Sequence, residues 1–200
     1  LRFLMGTIGK RKCVVIKSGV GKVNAARATQ ILIDNFELDC IINVGAAGAI
    51  NYLLNIGDVV IAKHVVQHDF DITAFGHSKG YITGVGDRIE CDFGLVNAFE
   101  NMIKSSEEKN YQTKIGIVAS GDIFCTEVEM KNKINAKFDA DVVDMECAAI
   151  AQVAYLDNIP FISIRCISDI PNNNNAKTFD ENLELASKRC AILLHEFCSQ

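Results

Sequence analysis

The stretch VVDMECAAIAQVAY, Val142–Tyr155, decides how this chain is read. Two valines end a strand-like run, an acidic pair brackets Met145, and small or apolar residues suited to a helix follow. Placed on that helix, Glu146 shares its face with Ala149, Ile150 and Val153. A carboxylate on an apolar face costs several kcal/mol, roughly, unless something pairs with it. Two partners are open at this point: the free backbone N–H groups of the helix start, or a polar ligand.

The same strand-then-helix grammar extends in both directions. Apolar runs with strand character cover Lys12–Lys17, Cys40–Val44, Asp58–Val66, Lys114–Ser120, Ala140–Asp144 and Phe161–Ile167. Helical patterns cover Lys22–Phe36, Asp92–Ser105, Thr126–Asn135, Glu146–Tyr155 and Asp180–Phe197, the last with Thr178 or Asp180 as its expected cap. The alternation predicts an α/β single domain, a mixed, mostly parallel central sheet flanked by helices. No repeat or linker divides the chain, and the asparagines at 172–175 read as a loop. The first residues, LRFLMG and TIGKRK before CVVIK, look like a hairpin entered partway.

Composition narrows the function classes. The chain has 200 residues, 49% of them hydrophobic, enough for one sizeable core. A net charge of −5 argues against a general nucleic-acid partner. No apolar run reaches membrane-span length, and no leader pattern is present. The 8 cysteines lie far apart without a C-x-x-C pair, several inside apolar strands. That placement suits reduced, buried thiols in a cytoplasmic protein and gives no zinc signature, so no metal is expected.

In folds of this kind ligands gather at the carboxyl ends of strands, so the residues found there carry the chemistry. They are SGVGK, GAAGA, SGDIFC, DME and SDIPN, rich in glycine, serine and carboxylate where packing alone favours bulk. SGVGK lacks the spacing of a triphosphate-binding loop and is read first as a tight turn. In GAAGA, Gly48 permits close backbone approach, and Ala46 offers no hydroxyl. Asp169 ends the most apolar strand, where desolvation raises a carboxyl pKa and suits a proton donor, although a plain loop cap fits too. Arg165, in the same strand, is expected as the charge partner of that acid. Phe124 supplies a stacking face and Glu146 an acceptor for a sugar diol. With Asp169 these are the parts a purine-nucleoside site needs.

The ordered set SGVGKVNAA, INVGAAG, GDVVIAKHVVQHDFDITAFG, SGDIFC, VVDMECAAIA and IPFISIRCISDI resembles the 5′-methylthioadenosine/S-adenosylhomocysteine nucleosidases, within the wider nucleoside phosphorylase family. The resemblance implies hydrolysis of an N-glycosidic bond without a cofactor. Under it, Asp169 is the general acid for adenine N7, with Ser168 holding it. Glu146 and Met145 bind the ribose, Phe124 stacks on the base, and the Cys125 backbone reads the adenine edge. Gly48, Ala46, Val20 and Arg165 line the rest. Phe75 and His77 reach across a homodimer interface to the neighbour's 5′ group. The resemblance also implies an N-terminal strand and a water-activating glutamate that this sequence does not contain, so residues 1–200 are expected to be a nucleosidase domain lacking that segment. Ala46 stands where the family carries a small hydroxyl residue. Two readings stay open beside hydrolysis: phosphorolysis by a purine or uridine phosphorylase relative, and nucleoside binding without turnover. A zinc deaminase is excluded by the missing H-x-E and P-C-x-x-C signatures.

Overall fold

The computed structural model describes residues 1–105, 110–172 and 174–200. Its elements alternate as the sequence predicts, and the larger sheet closes on itself. β3 (Ile41–Ala49), β4 (Val59–Gln67), β6 (Thr113–Ser120), β7 (Val142–Asp144) and β8 (Phe161–Asp169) form a ring, because β4 pairs with both β6 and β8. Two-residue β5 (Ile89–Glu90) adds to the outside of β4. The long ladders, β3–β8 and β4–β6, are parallel, as is β6–β7. The shorter β4–β8 and β3–β7 ladders are antiparallel. Closure removes the free edges of these five strands.

Helices cover the outside. α1 (Lys22–Asn35) packs on α4 (Cys147–Leu156), α2 (Phe93–Ser105) lies on β4, and α5 (Asn175–Ser199) runs along β8 and β3. α3 (Val128–Phe138) buries Ile134 and Phe138 in a small second cluster with Ile117 and Ala119. The main core joins Val59–Ala62, Val118, Val142, Ile162, Ile164 and Ile167 to the alanine-rich face of α4. Alanines at 148, 149, 151 and 154 let α4 approach the sheet closely, which explains its unusual composition.

Three expectations are corrected here. β2 (Arg11–Ile16) does not join the central sheet; it pairs antiparallel with β1 (Phe3–Ile8) in a separate hairpin. That hairpin is anchored by Lys10 N–H donating to the Cys198 carbonyl of α5. α5 starts at Asn175, with Asn174 preceding it, so neither Thr178 nor Asp180 caps it. The asparagine run therefore ends inside a helix, since Asn175 is buried and hydrogen-bonded there.

Candidate active site

Because strands run both ways round the ring, the predicted residues do not share one edge of a parallel sheet. They meet where β7 crosses onto β3. Gly48 is that junction: it pairs with Val143 on one side and Asp169 on the other. A Cβ at Gly48 would lie 3.1 Å from Asp169 Oδ2 and 3.3 Å from the Val143 side chain. The close approach predicted for this glycine is what the geometry requires.

Asp169 is 2% exposed. Ser168 Oγ donates to its Oδ1 at 2.8 Å, and Asn175 Nδ2 donates to its Oδ2 at 2.7 Å. Burial pushes its pKa above the usual carboxylate range, while the two donated hydrogen bonds hold it back. Asn175 Nδ2 also donates to the carbonyl of Cys125 at 2.9 Å, which places the wall after β6 beside the acid. The Cys125 thiol is pushed up to about 11, by burial first and then by Asp169, so it stays neutral and unreactive. Phe124, partly exposed next to it, meets Phe179 of α5 edge to face at 5.7 Å.

Glu146 is not the first residue of α4 but the residue before it, and its side chain does not cap the helix. Asp144 and Ser120 take that role. Asp144 Oδ2 accepts the Cys147 N–H at 2.8 Å, and Ser120 Oγ accepts the Ala148 N–H at 2.8 Å while donating to Asp144 Oδ1 at 2.5 Å. The helix start is thus satisfied by others. The Glu146 carboxylate turns instead to the glycine loop, accepting the Gly21 N–H at 2.9 Å. Burial, then the nearby Asp144, raises its pKa.

Arg165 does not pair with Asp169. Four residue steps along the strand put them roughly 13 Å apart, beyond the reach of an ion pair. The guanidinium instead forms a buried pair with Asp144 at 2.6 Å and donates to Asn43 Oδ1. A Cβ on Gly45 would collide with its Nη1, so this glycine gives the guanidinium its path across β3. Ala46 follows on β3, opposite Cys166 of β8.

The remaining predicted residues lie at the surface or near it. Met145 is half-buried between Asp144 and Glu146. Val20 is exposed on the loop that leads to Gly21. Phe75, in the single turn Thr73–Phe75, is 81% exposed, and His77 stacks on Tyr81. The loop is held at its base by Lys22, whose Nζ bridges Asp69 at 2.6 Å and Gln67 at 3.1 Å. Sequence reading missed Asn175, Phe179, Ser120 and Asp144. The first two sit past the acid in a segment taken for a loop and a helix cap. Their signal was a short amide within reach of Asp169 and an aromatic against Phe124, visible only once α5 is known to begin at Asn175.

Comparison with known proteins agrees with this geometry. A family model of the phosphorylase superfamily matches residues 1–199. The 5′-methylthioadenosine/S-adenosylhomocysteine nucleosidase of Bacillus licheniformis is 40% identical over 193 residues, covering 96% of this chain and 83% of the relative. The corresponding Neisseria meningitidis enzyme, solved with methylthio-immucillin-A, superposes with a TM-score of 0.94 at 35% identity, over 98% of this chain and 85% of that one. A Colwellia psychrerythraea nucleosidase solved with adenine gives a TM-score of 0.93 at 36% identity, over 98% and 81%. On this evidence the chain belongs to the 5′-methylthioadenosine/S-adenosylhomocysteine nucleosidases of the phosphorylase superfamily.

Proposed function

We propose that this protein hydrolyses the N-glycosidic bond of 5′-methylthioadenosine and S-adenosylhomocysteine, releasing adenine and the thioribose. The observation that carries the reading is Asp169, a buried carboxyl with a raised pKa, tied through Asn175 to the backbone of Cys125, the residue that follows Phe124. Asp169 gives its proton to N7, so the electrons of the breaking C1′–N9 bond leave with a neutral base. Positive charge grows on the ribose ring, and water attacks C1′ from the face opposite the leaving base, losing a proton to solvent, from which the Asp169 carboxylate is reprotonated for the next turnover. Glu146, turned toward the glycine loop, accepts hydrogen bonds from the ribose diol with Met145 against the sugar. Phe124 and Phe179 border the base.

Phe75 and His77 cover the 5′ group of a neighbouring subunit in a homodimer; the exposure of Phe75 supports this. All 8 cysteines are free, which supports a reducing, cytoplasmic setting. None of the described helices is long and apolar enough to cross a membrane.

The test is adenine release from both substrates by the protein of the complete reading frame, with and without phosphate. Release at the same rate in both buffers is expected. Release that requires phosphate means phosphorolysis, and nucleoside binding with no release in either means a binding protein; each outcome overturns the proposal.

A further inference from the structure

Asn175 is fully buried, and its amide has one orientation consistent with its surroundings. Nδ2 faces two acceptors, Asp169 Oδ2 at 2.7 Å and the Cys125 carbonyl at 2.9 Å. A flipped amide would set Oδ1 against both of them. In the orientation present, Oδ1 is buried without a hydrogen-bond partner among the described residues. An unsatisfied buried acceptor is costly and is seldom kept without a reason. The reason lies on the other side of the amide: Asp169 Oδ2 is confined between Asn175 and the bare backbone of Gly48.

We propose that Asn175 is a positioning residue for proton transfer, fixing Asp169 against the wall that reads the base edge and limiting its proton affinity. The inference rests on Asp169 being the general acid. An amide N–H donated to a carboxylate stabilises the charged form, opposing the effect of burial. Ser168 opposes it from the other oxygen. From the packed elements around the acid, the titratable group that faces it is the neutral Cys125 thiol, itself near Glu127 and Lys131. β7 presents Val143 there and β3 presents Gly48. Asn175 therefore tunes Asp169 with little competition from other charges. Its second bond makes the acid and the Cys125 backbone move together, so the proton donor stays in register with the ring it protonates.

Asn175→Ala, Asn175→Ser and Asn175→Asp in the full-length protein test this, with Asp169→Asn beside them. With the donor gone, Asp169 holds its proton to higher pH, so the alkaline limb of kcat moves up by about one pH unit in Asn175→Ala. kcat at its optimum falls about tenfold or more through lost alignment, with KM changed less. Asn175→Asp places a second carboxyl beside the first and moves the limb further. Asn175→Ser keeps a shorter donor and falls between wild type and alanine. An aryl thioriboside whose leaving group needs no proton is cleaved by wild type and Asn175→Ala at similar rates. Variants that melt like wild type and keep its alkaline limb overturn the inference. So does failure of all three to fold, which makes Asn175 a residue of the fold only. If Asp169→Asn keeps full turnover, the general-acid reading itself has failed, a separate result.

Discussion

Asp169 accepts hydrogen bonds on both oxygens from side chains of its own strand end and α5, whereas Glu146 reaches away from its helix to a loop amide. The first arrangement suits a group that must hold and release one proton in a fixed direction. The second leaves a carboxylate beside an open loop, where a diol can approach. Burial raises the pKa of both, and for Asp169 this has a consequence for stability. A folded-state pKa above the unfolded one means the fold favours the protonated carboxyl. Its contribution is complete below the unfolded carboxylate range and is lost as pH rises through the folded value. Above the unfolded carboxylate range the group therefore weighs against folding. In Asp169→Asn the new amide oxygen can still accept from Asn175, and Ser168 can turn its hydroxyl to the Ala47 carbonyl, 3.3 Å away. The variant should lose about 10²–10⁴ of turnover. It should melt at or above the wild-type temperature at neutral pH, with the difference shrinking toward about pH 4. Calorimetry across that range decides it: a variant less stable by the same margin at every pH would make Asp169 a structural group.

At the scale of elements, the helix start of α4 shows what sequence could and could not reveal. The turn from strand to helix at Asp144–Cys147 was legible from two valines followed by an alanine-rich run, because periodicity reports which face is buried. Which carboxylate caps the helix was not, since Asp144 and Glu146 are both acidic and nearly adjacent. Only the position of Ser120, brought alongside by the β6–β7 pairing, selects Asp144. The Arg165 partner was missed for a similar reason: Asp144 is distant in sequence and reached through ring closure, whereas Asp169 is near in sequence and out of reach along the strand. The start of α5 at Asn175 was hidden because asparagine prefers turns on its own, and a buried acceptor had to hold it in the helix. Asp144 thus serves a helix, a hydroxyl and a guanidinium at once. Asp144→Ala removes the one carboxylate paired with buried Arg165 among the described residues, leaving it neutral partners such as Asn43, and uncaps α4. A loss of about 3–5 kcal/mol is expected, most of it from the uncompensated charge. In a chain of this size that lowers the melting temperature by about 10 °C or more. A drop of only a degree or two would mean that water or Asn43 satisfies the guanidinium.

For the whole molecule, the closed ring of five strands explains why site residues from oppositely directed strands meet, while the loop at 73–79 lies exposed at the surface. Phe75, Val20 and Val23 are all strongly exposed there and at the start of α1. Apolar side chains left in water forgo about 25 cal/mol per Å², so a surface carrying several of them suits association. The strands and helices were readable from alternating apolar runs, but the closure of the ring was not, since it rests on β4 pairing with both β6 and β8; an exposed phenylalanine in a loop has no periodicity, and the role proposed for Phe75 depends on a second subunit. If Phe75 serves the neighbouring site, two defective chains can repair each other. Phe75→Ala loses cover over the 5′ group and should show a raised KM for methylthioadenosine. Asp169→Asn supplies an intact Phe75 but no acid. In a mixed dimer, the site on the Phe75→Ala chain has its own Asp169 and receives Phe75 from the partner, so it is complete; the other site is dead. Unfolding and refolding the two variants together, or co-expressing them, should therefore restore low-KM turnover that neither shows alone, in proportion to the mixed species isolated by two affinity tags. Tagged mixed dimers with no such recovery would mean that Phe75 acts within its own chain, and the absence of mixed dimers at micromolar concentration would remove the dimer itself.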